Sequence, residues 1–225
     1  MSLSGSALLF DLDGTLVDTA PDLAGTMNDL MAKLGYPPIP IDTIRVLVGR
    51  GARALIEHGL AFHGHTASAV DLDQMFAAFI DIYATRIARE SRAYPTVEPV
   101  LDRLIAMGAK LAVVTNKPEG LAKLLLDALD LTTRFKTVIG FETATQPKPH
   151  ADPILLACAR LGVPVNRALM VGDSATDVAA ARAAGIPVVV VRDGYTEIPA
   201  DELGGDIVID NYDALVEAVE KLLAE

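Results

Sequence analysis

Near the start of the chain, Leu8-Leu9-Phe10-Asp11-Leu12-Asp13-Gly14-Thr15 limits the fold more than any other stretch. A short apolar run that stops at two carboxylates and a Gly-Thr turn reads as a buried strand delivering acids to its carboxyl end. Open α/β sheets place their chemistry at that edge. Alternate residues of a strand point to opposite sides, so Asp11 and Asp13 share a side only while the chain stays extended; the loop from Leu12 onward decides where Asp13 points. Two acids at this spacing repel when both are charged. The pair calls for a cation, or for a proton on one member.

The rest of the chain must supply partners for that pair. Its 225 residues suffice for one large domain or two small ones, and with 51% hydrophobic residues it reads as a globular, soluble protein. A formal net charge of -11 argues against nucleic acid and against an anionic membrane, both of which demand a basic face. Small anions answer to local charge and remain open. The one cysteine, Cys158, leaves no internal disulfide and fits a reducing compartment; its place in the series Ile154, Leu155, Cys158, Leu161 reads as core. No apolar run is long enough to span a bilayer and no secretion-signal pattern opens the chain. The expectation is a cytoplasmic monomer or homodimer acting on a small molecule.

After the Gly-Thr turn, residues Thr19 to Gly35 carry Leu23, Met27, Leu30, Met31 and Leu34 on one helical face, with Thr19 or Asp22 as its cap. Further helices are predicted around Asp42 to Leu47, Ala52 to Phe62 and Asp71 to Arg89. No strand pattern interrupts them, so they read as an inserted helical domain over residues 18–92. From Ala93 strands and helices alternate. Strands are predicted at Ala109 to Thr115, Lys136 to Gly140, Ala168 to Gly172, Pro187 to Val191 and Asp206 to Ile209, with helices between them and a terminal helix from Tyr212. That alternation implies an α/β fold, a parallel sheet with helices on both faces, built from residues 1–17 and 93–225.

Three of these strand ends carry polar residues. Val114-Thr115-Asn116-Lys117 brings a hydroxyl and an amide to the carboxyl edge; Gln146-Pro147-Lys148-Pro149 offers a lysine on a stiff loop; Gly172-Asp173-Ser174-Ala175-Thr176-Asp177 is an acidic turn opening a helix. Singly, Thr115-Asn116 also reads as an ordinary turn, Lys148 as a solvated charge, and Asp173 or Ser174 as a helix cap. Together their chemistry is complementary. Asp11, Asp13, Asp173 and Asp177 would crowd four carboxylates into one crevice, which suits a hard divalent cation, magnesium rather than zinc. Thr115 and Lys148 suit phosphate oxygens, and the amides of the loop at Gly14 could add an anion nest.

These residues, in this order, resemble the four motifs of the haloacid-dehalogenase superfamily. The resemblance spans the whole core and implies a Rossmann-like three-layer fold, and the helical insertion is similar to the cap of members that act on small phosphate esters. Asp13-Gly14-Thr15-Leu16-Val17-Asp18-Thr19-Ala20-Pro21-Asp22-Leu23, Val48-Gly49-Arg50-Gly51-Ala52, Val114-Thr115-Asn116-Lys117-Pro118 and Gly185 look like the branch that hydrolyses 2-phosphoglycolate. The resemblance implies Asp11 as nucleophile, Asp13 as acid and base, and magnesium on the Asp11 carboxylate, the Asp13 main-chain carbonyl and Asp173, with Asp177 close behind. It also implies that Thr115 and Lys148 hold the phosphoryl group.

Arg50 departs from those relatives, which often have asparagine between the two glycines. Gly49 and Gly51 would let that loop approach closely, and an arginine fork suits a carboxylate, so Gly49, Arg50, Gly14 and Asn116 are the candidate substrate contacts. A sugar-phosphate mutase of the same superfamily is the alternative. A signalling receiver domain fits less well, because its phosphoacceptor ends a later strand. His63-Gly64-His65 has the look of a metal pair but lies in a presumed loop without a third ligand, which favours a plain polar loop.

Overall fold

The computed structural model describes residues 2–45, 47–49, 51–196 and 198–224. Arg50 lies outside the described residues. The chain forms a six-stranded parallel sheet in the order β5-β4-β1-β6-β7-β8, from β1 (Ala7–Phe10), β4 (Lys110–Val114), β5 (Thr137–Ile139), β6 (Ala168–Gly172), β7 (Val188–Val191) and β8 (Ile207–Ile209). All six predicted strands are present. Helices lie in the crossovers of the parallel strands: α5 (Val97–Ala106), α6 (Glu119–Ala128), α7 (Asp152–Leu161) and α8 (Ala175–Ala184); β7 leads to β8 through a 3₁₀ turn at Ala200–Glu202, and α9 (Leu215–Leu223) follows β8.

Strand alternation sorts the core into two layers. Leu8, Phe10, Leu111, Val113, Leu169 and Val171 face one side, where α5, α6 and α9 pack over them. Ala7, Leu9, Ala112, Val114, Met170 and Val188 face the other, under α7 and α8. Both faces being covered explains why the strands read as uninterrupted apolar runs. Cys158 is buried in the second layer, as a core residue.

Between the sheet's first strand and the rest lie α1 (Ala20–Lys33), α2 (Ile41–Arg45), α3 (Ala52–Phe62) and α4 (Ala69–Ala84). They enclose a separate apolar cluster that includes Met27, Met31, Ile56, Phe79 and Tyr83, and among the described residues only Leu121 and Tyr195 join its buried members from the sheet side. The helix α4 starts two residues before the predicted Asp71, because Ser68 caps it by accepting from the Asp71 N–H at 3.2 Å. It ends five residues before the predicted Arg89, in a series of turns. His63 and His65 both pack on the ring of Tyr36, with centroids 5.2 and 4.9 Å away.

Two features escaped the sequence. Val17–Asp18 (β2) and Arg92–Ala93 (β3) pair antiparallel, so the two chain segments that lead into and out of the helical block run side by side. At two residues each they are too short for any periodic signal. And Asp22 does not cap α1: its buried Oδ2 accepts from the Glu90 N–H at 2.9 Å, the Ser91 N–H at 2.7 Å and the Ser91 hydroxyl at 2.7 Å. Thr19, at the cap position, makes no side-chain cap bond either. Asp22 instead clasps the start of the block to its end.

Removing that acid strands the buried Ser91 N–H and unpairs the part-buried Glu90 N–H, and an unsatisfied buried donor costs about 1–3 kcal/mol. Asp22→Ala is therefore expected to destabilise the protein by on the order of 2 to 4 kcal/mol in urea unfolding. Asp22→Asn should recover part of it. A loss under about 0.5 kcal/mol, the size of an ordinary surface substitution, would show that the clasp contributes little.

Candidate active site

Because β1 lies between β4 and β6, the residues that follow these strands meet at one edge. Phe10 is level with Val113 on one side and Val171 on the other. The Asp11 N–H still donates to the Val171 carbonyl at 2.9 Å, so the first acid leaves the sheet from a fixed backbone. Lys148 is not a solvated charge. It is 3% exposed, with Nζ 2.9 Å from Asp11 Oδ1 and 2.6 Å from Asp177 Oδ1. Burial alone would lower the lysine's pKa; Asp11 and Asp177 outweigh it and hold the ammonium above its ordinary range.

The acids are held just as closely. Asp173 accepts from the Thr15 hydroxyl at 2.6 Å on one oxygen and from the Tyr195 N–H at 2.6 Å on the other. Asp177, at the third position of α8, accepts on Oδ2 from the Ser174 N–H at 3.0 Å, the Ser174 hydroxyl at 2.6 Å and the Asp173 N–H at 3.2 Å. It thereby caps its own helix and leaves Oδ1 to Lys148. A Cβ on Gly172 would strike the Asp177 carboxylate, so only glycine lets β6 pass this close.

Asp11, Asp173 and Asp177 each offer a carboxylate oxygen within 4.8 Å of the others. Burial, and then the charge of Asp177, raises the Asp11 carboxyl to about 6 against the opposing pull of Lys148. Burial and the charges of Asp177 and Asp11 likewise hold Asp173 well above the carboxylate range. Asp11 Oδ1 accepts no hydrogen bond and has only the charge contact with Lys148. A buried, all-oxygen set with an unsatisfied acceptor fits a hard divalent cation.

Asp13 is not the fourth member of this cluster. Gly14 turns with φ of 83°, and the Asp13 carboxylate pairs with Lys117, whose Nζ is 2.7 Å from Oδ1. Three acids gather instead of four. Lys117 is the functional candidate that sequence reasoning passed over. It is buried, its Nζ lies 4.5 Å from the centre of the Tyr83 ring, and its N–H donates to the Thr115 hydroxyl at 3.1 Å. Burial would lower its pKa, but Asp13 raises it above the ordinary lysine range. The only available signal was its place two residues beyond Thr115 in the same strand-end turn.

Asn116 bridges the two halves of the site. Its Nδ2 donates to the Lys148 carbonyl at 3.0 Å and reaches the Gly49 carbonyl of the helical block at 3.5 Å, while its Oδ1 is buried without a partner. Asp11, Asp13, Thr115, Asn116 and Lys117 form the polar floor of a crevice whose far wall is Val48, Gly49, Gly51, Ala52, Leu55, Phe79 and Tyr83. The free space between them is about 40 Å³.

A parallel sheet that brings an acid pair, a hydroxyl, a buried lysine and an acidic turn to one edge is a hydrolase framework found in known proteins. The chain belongs to the haloacid dehalogenase-like hydrolase family, whose model matches residues 8–191. It is 48% identical over 210 residues to a phosphoglycolate phosphatase of Caulobacter vibrioides, covering 93% of this chain and 89% of that one. To a phosphoglycolate phosphatase of Agrobacterium fabrum it is 42% identical over 218 residues, covering 96% and 94%. A crystal structure of a predicted phosphoglycolate phosphatase from Haemophilus somnus superposes with a TM-score of 0.90 at 30% identity, covering 97% of this chain and 99% of that one.

The charge crowding has a thermodynamic sign. Asp11 binds its proton more tightly folded than unfolded, so its contribution to stability is full below the ordinary carboxyl value of 3.8 and is lost as pH rises through about 6. Without metal, Asp11→Asn should therefore be more stable than the parent at pH 7, by on the order of 2 kcal/mol, and the advantage should vanish near pH 4. Magnesium should raise the parent's Tm and raise that of Gly172→Ala less. Denaturant curves across pH and Tm with and without magnesium check this; a destabilised Asp11→Asn at pH 7 would remove the crowding.

Proposed function

We propose that this chain is a magnesium-dependent phosphatase that hydrolyses 2-phosphoglycolate, a small phosphate monoester, through an aspartyl phosphate on Asp11. The observation that carries the reading is the Asp11 carboxylate, fixed at the end of the central strand, buried, and left with an oxygen that accepts no hydrogen bond. The phosphoglycolate phosphatases among its relatives supply the substrate. In this reading residues 1–17 and 93–225 are the catalytic core and 18–92 the cap that opens and closes over it, and the protein works in the cytoplasm.

Asp11 attacks phosphorus, and the bond to the departing alkoxide breaks as that oxygen takes a proton from Asp13. Water then attacks the phosphorus of the aspartyl phosphate, giving its proton back to Asp13 and releasing inorganic phosphate and the free Asp11 carboxylate. One hard hydrolysis becomes two in-line transfers. Lys148, already between Asp11 and Asp177, balances the nucleophile's charge and binds a phosphoryl oxygen, and Thr115 holds another; the Gly14 N–H is already given to the Val17 carbonyl at 2.9 Å. The Asp11 carboxylate, the Asp13 main-chain carbonyl and Asp173, with Asp177 behind them, would hold magnesium, which supplies positive charge against the crowded phosphoryl oxygens.

The test is a panel of phosphomonoesters with magnesium, ranked by kcat/KM. 2-Phosphoglycolate should lead it, and activity should vanish in excess chelator. Asp11→Asn should lose nearly all turnover while remaining folded. Asp13→Asn should lose far more on alkyl esters than on p-nitrophenyl phosphate, whose leaving group needs little protonation. Substantial turnover by pure Asp11→Asn would overturn the covalent route, and equal losses on both ester types would remove Asp13 from the acid role.

A further inference from the structure

We propose that Lys117 is a specificity-determining residue that exchanges its ion-pair partner, leaving Asp13 to bind the carboxylate of the incoming phosphate ester. The proposal rests on the reading of the site as a phosphatase for a carboxylated ester and names the residue that recognises the second anionic group.

Three observations carry it. Among the described residues that line the crevice, Lys117 is the only cation; Lys148 lies beneath, engaged by Asp11 and Asp177 where the phosphoryl group is expected. Among the described residues, the wall opposite includes Val48, Leu55, Phe79 and Tyr83, none of which carries a charge. And Lys117 is spoken for. Its Nζ sits 2.7 Å from Asp13 Oδ1 and 4.5 Å from the centre of the Tyr83 ring, at the lining of the crevice.

A buried ammonium is costly without an anion beside it, so Lys117 cannot release Asp13 unless a second anion takes its place. A carboxylate one carbon from the ester oxygen supplies that anion in place of Asp13, which takes up a proton from water as it is released, so that the charge balance is kept. The Asp13 carboxyl is then free to turn to the leaving oxygen. An ester without a second anion offers nothing in exchange and meets an acid still tied to its lysine. Selectivity therefore arises in the same movement that places the acid, and the Tyr83 ring keeps Nζ in place while it changes partner, since its π face attracts a cation.

Ethyl phosphate has the skeleton of 2-phosphoglycolate without the carboxylate, so the ratio of their kcat/KM values reads the recognition directly. The parent should favour 2-phosphoglycolate by about ten- to hundredfold, the range of one charge-assisted hydrogen bond. Lys117→Met should cut that ratio at least tenfold, and Lys117→Arg, which keeps the charge, should retain it within about threefold. A parent ratio near one would overturn the carboxylated substrate itself. A parent preference that survives in Lys117→Met would leave that substrate standing and overturn the role of Lys117. Should Lys117→Met not fold, a crystal structure of Asp11→Asn with 2-phosphoglycolate decides: Nζ should be within hydrogen-bond distance of the ligand carboxylate and away from Asp13. A carboxylate held by any other group, with the Lys117–Asp13 pair intact, would refute the exchange.

Discussion

Lys148 is the charge on which the arrangement of this edge depends. Three carboxylates buried within 4.8 Å of one another would expel each other or take up protons, and one ammonium 2.9 Å from Asp11 and 2.6 Å from Asp177 offsets that repulsion in part. The offset is incomplete, since Asp11 and Asp173 both remain above the carboxylate range. The residual imbalance is what makes the site receptive to a cation. Strand order does the assembling. With β1 between β4 and β6, Asp11, Thr115 and Asp173 are neighbours as a consequence of topology, whereas Lys148 reaches in from the loop beyond β5 and Asp177 from the first turn of α8.

Tyr195 links this edge to the helical block. Its N–H holds Asp173, and its hydroxyl bonds to Asp18 and accepts from the Ala20 N–H at 2.9 Å, where α1 begins. Arg45 of α2 lies over the ring at 5.5 Å and pairs with Asp18 at 3.6 Å. With the Asp22 clasp and the β2–β3 ribbon, these contacts fix the base of the block while its far side meets the sheet mainly through the crevice and the long Asn116–Gly49 contact. Movement of the block is thus best accommodated by rotation about its base.

The sheet was legible because both its faces are covered, which makes each strand an apolar run ended by a polar turn. Asp11, Thr115 and Asp173 were legible for a related reason: a polar residue immediately after such a run has only one place to be. The β2–β3 ribbon was not, because two residues carry no period. Nor were the partners of Asp22 and Asp13. Both acids looked like members of a local pattern, a helix cap and an acid pair, and in each the partner lies far along the chain, at Glu90-Ser91 and at Lys117. Long-range pairing of charges is set by how elements pack, and a single sequence has no signal for it.

The two acids of the first motif show how nearby residues of one type acquire different chemistry from their surroundings. Asp11 is held where its charge is least welcome, buried among other acids with one cation shared between it and Asp177. Asp13, two residues on, leaves the extended strand at Gly14 and acquires a lysine of its own. A nucleophile profits from the first setting, since a poorly solvated carboxylate gains most by forming a bond to phosphorus. For the acid and base role proposed for Asp13, which changes charge twice in each cycle, a partner that can be exchanged suits the task better than a fixed cluster. The division follows from one glycine turn, which separates a pair that an extended strand would have kept on one side.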